Sequence, residues 1–447
     1  MKNDLCAHIF RRDLRLDDNT SLIKSLENFN KTIPVFILDK SILSSSYSKN
    51  SFQFMLDCLI ELNSELEKQK SKLYIFHDYV DNVVERLIKF GVQKISVNKD
   101  YTPYSLKRDE KINTICSQSD VLFEKHPDLL LNEPENVLKD DGKPYTVFSH
   151  FLKKSTSIKV EYPKKNNFKN YFNEDIGQLE IGYLANLKKH HSIKGGRSQA
   201  LKLIKKTSKL NYSENRNYPF LNSTTNLSPH NKFGTLSIRE IYHEFKKTGD
   251  IQLVNELYWR DFFIHIGYHF PHVFKQSFKE KYKKIVWFWD EKKFKLWCDG
   301  KTGFPIVDAG MRELNETGFM HNRVRMITAS FLVKILGMDW KKGERYFASK
   351  LVDYDPSVNN GNWQWIASTG CDSQPFFRIF NPWIQQKKYD PECIYIKRWV
   401  PELEKYSPQE IHNIEKNNLN DKIYPKPIVD YKQSVKNVLQ NYKKYLI

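Results

Sequence analysis

The run Leu5-Cys6-Ala7-His8-Ile9-Phe10 is short and mostly apolar, and Arg11 and Arg12 end it abruptly. These features predict a buried β-strand at the start of the chain. The other candidate strands are Thr32–Leu38, Lys72–Phe76 and Lys94–Val97, and the candidate helices between them are Asn50–Lys70 and Asp81–Phe90. Because strand-like runs alternate with helical spacing, residues 1–130 are predicted to form an α/β domain with a parallel, doubly wound sheet.

The rest of the chain has a different character. Residues 131–193 are polar and irregular, with Pro134, Pro144 and Pro163, and are predicted to be an interdomain connector. Residues 194–447 contain long segments with helical spacing and many aromatic side chains, which predicts a second, all-α domain. The first half is Rossmann-like in pattern but has neither a GxGxxG turn nor a Walker A loop, so the pattern identifies no ligand.

Charge and composition restrict the partners of the chain. Its 447 residues include 71 Lys plus Arg against 53 Asp plus Glu, a formal net charge of +18. Nucleic acid suits this charge better than a membrane, because no apolar run approaches the roughly 20 residues of a spanning helix. A basic protein from a lysine-rich proteome has the same charge without such a partner. The short N-terminal apolar run does not fit a secretory signal, so we expect an intracellular location, cytoplasmic or nuclear.

Residues that commonly bind metals do not form a recognisable metal motif. The six cysteines are far apart in sequence, without a CxxC pair, and are expected to be reduced core residues. His265, His269 and His272 have helical spacing, but the HExxH motif of zinc proteases is missing because residue 266 is isoleucine. We therefore expect no metal.

Two segments of the second half carry polar groups in arrangements that suit ligand binding. Residues 224–234 place hydroxyls around Pro229, before a helix predicted to begin near Ser237, which suits a phosphate at a helix N-terminus. An ordinary capped turn has the same residues. Asn255, Glu256 and Trp259 are spaced to share one face of a helix, which would offer hydrogen bonds and a stacking surface. Core packing is the alternative role for this tryptophan.

Several blocks of the sequence, in the same order, resemble the cryptochrome/photolyase family. They are Phe10-Arg11-Arg12-Asp13-Leu14-Arg15-Leu16, Thr224-Thr225-Asn226-Leu227-Ser228-Pro229-His230-Asn231-Lys232-Phe233-Gly234, Asn255-Glu256-Leu257-Tyr258-Trp259-Arg260-Asp261, Gly300-Lys301-Thr302-Gly303-Phe304-Pro305, His321-Asn322-Arg323-Val324-Arg325-Met326, Asn359-Asn360-Gly361-Asn362-Trp363-Gln364-Trp365 and Phe377-Arg378-Ile379-Phe380-Asn381-Pro382. Long ordered matches of this kind are specific. The resemblance covers most of the chain and is weakest between residues 100 and 195.

The resemblance implies a light-driven DNA repair enzyme, most similar to class I cyclobutane pyrimidine dimer photolyases, which are carbon–carbon lyases. It implies an N-terminal antenna domain and FAD in the helical domain. The active form is reduced FADH⁻, which under blue or near-ultraviolet light sends one electron to the dimer and later recovers it. The implied partner is ultraviolet-damaged DNA, and the chain is expected to act as a monomer.

The resemblance also assigns residues to the flavin. Those expected to contact FAD are Tyr212, Thr224, Thr225, Asn226, Leu227, Ser228, Arg325, Asp353, Tyr354, Asp355 and Asn359. Arg325 and Asp353 match an ion pair that lies against the ring, and Asp355 matches a contact to the N3 edge or the ribityl chain. Asn359 matches the residue that faces N5, where it would favour the fully reduced flavin.

Other residues are assigned to the substrate and to electron transfer. Those expected to contact the dimer or its flanking DNA are Arg216, Asn255, Glu256, Trp259, Asn322, Arg323, Met326, Trp365 and Arg378. Glu256 would stabilise the negative charge on the reduced dimer, and Trp259 and Trp365 would clamp a flipped-out dimer. Trp363, Trp340 and Trp287 match a chain of three tryptophans through which light reduces an oxidised flavin.

Competing functions differ at a few positions. Asn359 favours repair, because plant-type cryptochromes more often have aspartate there and animal cryptochromes cysteine. A (6-4) photolyase would have a histidine pair near His321, and a signalling cryptochrome usually has a long C-terminal extension. Asn217 stands where the family usually has aspartate. Residues 100–105 lack the asparagine–glutamate pair expected for a folate antenna, which leaves folate, a deazaflavin, another flavin or no second chromophore.

Overall fold

The computed structural model describes residues 3–43, 48–189, 191–415 and 423–446, which fall into two compact units. The first unit contains residues up to 209 together with 225–271. The second contains residues 210–224 and those from 272 onward. The unit boundary therefore falls between Thr224 and Thr225, inside the segment expected to bind phosphate. The domain boundaries at residues 130 and 193 stay a prediction.

The first unit contains the parallel sheet that the alternating pattern predicts. Its five strands are β1 (Asn3–Phe10), β2 (Phe29–Ile37), β3 (Tyr74–Phe76), β4 (Lys94–Asn98) and β5 (Leu122–His126), in the order β3-β2-β1-β4-β5. All neighbouring strands are parallel, and Ala7 of β1 is paired with Ile33 of β2 and Ile95 of β4. The α/β fold and the four predicted strands are confirmed.

The fifth strand, β5, has no strand signal in the sequence. Its residues Leu-Phe-Glu-Lys-His are half polar, and only His126 is buried. β5 is the edge strand and pairs with β4 alone. An edge strand contributes few side chains to the core, so its sequence need not be apolar.

The helices of the first unit include some that pack on the sheet, such as Thr20–Asn28, and others in residues expected to form the connector and the second domain. They are Thr20–Asn28, Lys40–Leu43, Lys49–Glu67, Val80–Lys89, Pro103–Ser117, Phe148–Thr156, Ile181–Leu187, Arg197–Ile204, Ser228–Phe233, Ile238–Lys247 and Ile251–His269. Ser237 and Glu240 form a capping box, so the helix expected near Ser237 begins there.

The second unit is helical, as predicted. Its helices are Tyr212–Asn215, Glu291–Cys298, Pro305–Thr317, Asn322–Ser330, Trp340–Lys350, Pro356–Ala367, Pro382–Tyr389, Ile394–Trp399, Pro408–His412 and Tyr431–Leu446. They surround a hydrophobic core that includes Trp297, Trp340 and Trp363.

A π-helical turn at Phe331–Ile335 follows helix Asn322–Ser330 and buries Lys334 completely. The Lys334 ammonium donates to Ser368 Oγ at 2.7 Å and to the Phe376 carbonyl at 2.8 Å. It also lies 4.6 Å from the centre of the Tyr442 ring. Burial lowers the pKa of Lys334 from 10.5 to about 7.

Two further expectations concern the cysteines and the possibility of a membrane-spanning helix. All six cysteines are free and buried, which confirms that they are core residues. Within the described ranges, no helix combines the length and hydropathy needed to cross a membrane.

Candidate functional site

One face of helix Ile251–His269 carries Asn255, Glu256 and Trp259, which are all half-buried. Asp250 caps this helix by accepting from the amides of Gln252 and Leu253 at 2.9 and 3.4 Å. The first turns of the helix are therefore fixed, and the three side chains have the spacing that the sequence indicated.

Trp259 lies face to face with Phe148, with ring centres 3.6 Å apart and planes at 9°. Phe148 belongs to helix Phe148–Thr156, inside the segment expected to be a connector. The stack fixes the indole of Trp259 as a rigid surface before any substrate binds. The contact spans more than a hundred residues of sequence, so no local pattern indicates it.

Residues 224–234 form a turn followed by a short helix in the first unit. Asn226 has φ +52°, the Leu227 amide donates to Thr225 Oγ1 at 3.4 Å, and helix Ser228–Phe233 begins just before Pro229. Gly234 ends the helix with φ +62°, and a Cβ there would be 2.1 Å from the Arg12 carbonyl oxygen. Glycine is required at this position, because it lets the segment approach the loop after β1.

In the second unit, Arg325 and Asp353 form the ion pair that the resemblance implied. The guanidinium donates through both terminal nitrogens, at 3.2 and 2.9 Å, to the two carboxylate oxygens. Arg325 Nε donates to the Met320 carbonyl at 2.7 Å, so the guanidinium is held in one orientation. Asp355 caps the next helix by accepting from the amides of Ser357 and Val358.

Asn359 is buried and makes a contact that the sequence does not indicate. Its Nδ2 donates to Glu344 Oε1 at 2.9 Å and to the Glu344 carbonyl at 3.1 Å. Its Oδ1 accepts no hydrogen bond from the residues of the described ranges. Burial raises the pKa of Glu344. The Asn359 amide is therefore oriented by Glu344 and keeps an acceptor for a donor such as the N5–H of a reduced flavin, which fits FAD at this site.

Trp363 and Trp340 are almost fully buried, and Trp287 is half-buried. Trp363 packs edge to face on Phe347 and on Trp297, with centres 5.0 and 6.3 Å apart. Trp297 is fully buried, and its Nε1 donates to the Thr328 carbonyl at 3.1 Å. The sequence assigned no role to Trp297, although it touches the innermost tryptophan of the expected chain.

Among the arginines expected to bind phosphate, Arg216 and Arg323 are half-buried. Arg323 donates to Asn217 Oδ1 at 2.6 Å and lies 4.5 Å from the centre of the Tyr389 ring. Asn217 is neutral, so it fixes Arg323 without cancelling its charge. Arg216 lies over Tyr212, at 5.9 Å from the ring centre. Arg378 is exposed.

Beside them, Asn322 is exposed and its Nδ2 is 4.0 Å from Met326 Sδ. Met326 and Trp365 are partly buried and pack on the hydrophobic core of the second unit. His321 caps the helix that carries Asn322 and Met326, because its Nδ1 accepts from the Arg323 amide at 3.2 Å. Burial lowers the pKa of His321 to about 4, so it is neutral at pH 7.

Of the three histidines with helical spacing, only His265 is a core residue, whereas His269 is half-buried and His272 is exposed. His265 is buried and its ring centre is 4.5 Å from that of His269. The part of the chain that the structure describes contains no group of three His, Cys, Asp or Glu side chains able to hold a metal ion.

A parallel-sheet unit and a helical unit that contains an Arg–Asp pair, an oriented asparagine and buried tryptophans are the features that the resemblance to flavin-dependent photoenzymes implies. Residues 6–166 match the DNA photolyase model, and residues 253–444 match the FAD binding domain of DNA photolyase. The chain belongs to the DNA photolyase family.

Individual relatives are similar to this chain in sequence or structure over nearly its whole length. A deoxyribodipyrimidine photo-lyase of Buchnera aphidicola subsp. Acyrthosiphon pisum is 36% identical over 97% of this chain and 96% of its own length. The archaeal photolyase of Sulfolobus tokodaii, whose crystal structure has two FAD molecules, is 43% identical with a TM-score of 0.92 and covers 98% of this chain and all of its own. A class III photolyase of Agrobacterium tumefaciens is 32% identical, has the same TM-score, and covers 100% of this chain and 98% of its own.

Gly343 provides a test of the packing around Trp363. A Cβ at Gly343 would be 2.2 Å from Trp363 Cη2 and 2.6 Å from Leu332 Cδ2, and neither group can move freely in the core. We expect Gly343→Ala to lower the free energy of unfolding by about 1–3 kcal/mol, measured by urea unfolding followed by tryptophan fluorescence.

Gly182→Ala is the matched control, since Gly182 is also helical and a Cβ there would meet nothing within 4 Å. It should leave stability unchanged or raise it by up to about 1 kcal/mol. Equal effects of the two substitutions would contradict the tight contact at Trp363.

Proposed function

We propose that this chain splits cyclobutane pyrimidine dimers in DNA, using light and reduced FAD. Reduced FAD, when bound and excited, is a one-electron donor that is regenerated at the end of the cycle. The observation that carries the proposal is the Asn359 amide, which is oriented by Glu344 and offers an acceptor where the resemblance puts flavin N5. The curated relatives named deoxyribodipyrimidine photo-lyase support the same substrate.

The flavin-binding residues have separate roles in this proposal. Tyr212 and the run from Thr224 to Ser228 bind the pyrophosphate side. The Arg325–Asp353 pair and Tyr354 lie against the ring system, and Asp355 binds its polar edge or the ribityl chain. Glu344 adds a role that no sequence pattern assigns. By holding Asn359 Nδ2, it prevents the amide from turning its donor toward N5 and so favours the reduced, protonated form.

The dimer is bound by the residues on helix Ile251–His269 and by Met326 and Trp365. Asn255 and Glu256 supply hydrogen bonds, and the Glu256 carboxyl stabilises the extra negative charge on the reduced dimer. Trp259 supplies an apolar surface that its stack on Phe148 has already fixed, so little conformational entropy is lost when the dimer binds.

DNA is held through its phosphates rather than through its bases. Arg216, Arg323, Arg378 and Asn322 bind the backbone around the lesion, with little dependence on sequence. Arg323 suits this role because its hydrogen-bond partner Asn217 is neutral and does not cancel its positive charge. The net charge of +18 adds a salt-dependent attraction to any DNA. We propose that the enzyme acts inside the cell as a monomer.

The surroundings of His321 support cyclobutane dimers, and not (6-4) lesions, as the substrate. The (6-4) photolyases use a histidine pair in this region, whereas here residue 322 is asparagine. The remaining His321 is a neutral helix cap with a pKa near 4, so it is a poor proton donor to a lesion.

The electron path for flavin reduction runs through Trp363, Trp340 and Trp287 in this proposal. Indole can be oxidised without losing a proton, and two of these tryptophans, Trp340 and Trp363, are shielded from water. These three side chains would supply the electron needed to return an oxidised FAD to its reduced form.

The repair assay tests the function directly. Purified protein with reduced FAD should remove a thymine dimer from an oligonucleotide under blue light, with no loss in the dark and none of a (6-4) lesion. Glu256→Ala should lower the repair yield per absorbed photon several-fold, since a hydrogen bond to a charged group is worth roughly 1.5–3 kcal/mol. DNA affinity should change by less than about threefold, because the charge exists only after electron transfer.

Glu256→Gln is the matched variant for that assay, because it keeps a hydrogen-bond donor and should retain more of the yield than Glu256→Ala. Equal losses of yield and affinity in both variants would remove the role given to Glu256. Absence of repair of either lesion, with FAD bound and reduced, would favour a cryptochrome-type photoreceptor.

The tryptophan path is tested with Trp363→Phe. Photoreduction of oxidised FAD should slow by at least about tenfold, since even 1.4 kcal/mol of added barrier has that effect and phenylalanine is much harder to oxidise. Repair by chemically reduced enzyme should be unchanged. Trp399→Phe, a half-buried tryptophan outside the path, is the control, and equal photoreduction in both variants would contradict the assignment.

The second chromophore is a separate part of the proposal. Folate, a deazaflavin, another flavin and no second chromophore were the alternatives from sequence. The two FAD molecules of the Sulfolobus tokodaii relative, at 43% identity, favour another flavin. We therefore expect two FAD per chain after reconstitution with excess FAD, measured by release and chromatography. One FAD per chain together with a bound folate or deazaflavin would overturn this choice.

A further inference from the structure

The segment Val286-Trp287-Phe288-Trp289, named here the Trp287 surface, exposes an unusual amount of apolar area. Val286 is 59% exposed, Phe288 43% and Trp289 52%, whereas Trp287 is half-buried between two hydrophobic clusters of the second unit. Single exposed apolar residues are common in proteins, but consecutive ones around a tryptophan are typical of a contact surface.

The Trp287 surface is held rigidly. Asn441 Nδ2 donates to the Val286 carbonyl at 2.8 Å, and the Phe288 amide donates to the Gly337 carbonyl at 2.9 Å. Trp287 itself packs edge to face on buried Tyr442, with ring centres 5.9 Å apart. A surface fixed in this way does not need to lose much conformational freedom when a partner binds.

The surroundings of the Trp287 surface are basic. Residues 279–295 contain seven lysines and three acidic residues. Glu280 and Asp290 are paired with Lys283 and Lys293, and Asp339 lies within 3.6 Å of Lys341. Exposed Lys284, Lys292 and Lys342 have no carboxylate partner among the residues of the described ranges, and Lys342 lies 4.8 Å from the centre of the Trp289 ring.

We propose that the Trp287 surface docks an acidic protein that carries one electron, such as a reduced iron–sulfur, copper or flavin protein. The proposal rests on the tryptophan path of the proposed function, of which Trp287 is the member that reaches this surface. An apolar centre with a charged rim suits the small, short-lived complexes of electron carriers, in which complementary charge speeds association.

The electron balance of the docked complex is simple. After light has drawn an electron inward through the path, Trp287 is a radical cation, and the carrier gives it one electron. The carrier loses one electron and Trp287 becomes neutral. No bond is made or broken, and no proton is moved. Neutral Trp287 can no longer accept an electron back along the path, so charge recombination through it is prevented.

DNA and small reductants fit this surface less well. Phosphates would pair with the lysines but would leave Val286, Phe288 and Trp289 in water. A small reductant needs access only to the edge of Trp287 and gains nothing from the lysines around it. An acidic protein covers both parts of the surface.

The test is laser-flash excitation of the complete, FAD-loaded protein with oxidised flavin, with the decay of the tryptophan radical followed by absorbance. The probe is reduced plastocyanin, an acidic copper protein, and the comparison is reduced cytochrome c, which is basic. We expect plastocyanin to shorten the decay in proportion to its concentration, with a rate constant that falls as salt is added, and cytochrome c to be much slower at low salt.

Charge variants make the test specific. Lys284→Glu with Lys342→Glu should lower the rate constant for plastocyanin by about tenfold or more at low salt. Lys139→Glu with Lys143→Glu makes the same change in net charge at exposed positions of the first unit and should alter the rate less than about twofold. Trp289→Ser, which keeps the charges, should lower the rate several-fold at all salt concentrations.

The outcomes separate the two proposals. A flash that forms no Trp287 radical overturns the tryptophan path, and the docking role with it. A radical that plastocyanin reduces equally fast in both lysine variants overturns docking alone. A dimer in sedimentation that Trp289→Ser abolishes, or a loss of DNA affinity confined to the Lys284/Lys342 variant, assigns the surface to a second copy of the chain or to DNA and also overturns the proposal.

Discussion

The close packing of helix Trp340–Lys350 on helix Pro356–Ala367 organises the site in the second unit. Gly343 makes this approach feasible, because Trp363 and Leu332 occupy the space that a side chain would need. The next residue, Glu344, meets Asn359 across the same contact. One interface between two helices therefore orients the amide expected at the flavin and buries the tryptophan expected to pass electrons to it. A small shift of either helix would affect both functions together.

The functional side chains of the two units are held in different ways, each within its own unit. In the second unit, functional side chains are fixed by buried polar contacts, of which Arg325–Asp353 and Asn359–Glu344 are the main ones. In the first unit, Trp259 is fixed by an aromatic stack on Phe148. This division suits the expected ligands, because a charged cofactor needs matched polar groups and a flipped-out base needs a flat apolar surface.

The sequence predicted much of the fold and a part of the site. Strands β1 and β2 contain buried, mostly apolar runs, whereas the edge strand β5 is half polar and gives no such signal. Arg325 and Asp353 were expected as a pair only because the family motif contains both. Glu344, Phe148 and Trp297 were missed, since each acts through a contact between separate elements. Their residue types are ordinary for helices, and only the tertiary packing gives them a role.

The buried ammonium of Lys334 links the stability of the second unit to protons. Its pKa is about 7 in the folded chain, against 10.5 for an ordinary lysine, so between these values the unfolded chain holds a proton that the folded chain has released. Unfolding in this window takes up that proton, and each rise of one pH unit adds about 1.4 kcal/mol to the free energy of unfolding. Below pH 7 Lys334 is protonated in both the folded and the unfolded chain. Burial of its charge then lowers the free energy of unfolding by the largest amount. The π-helical turn that encloses Lys334 is thus most stable at mildly alkaline pH.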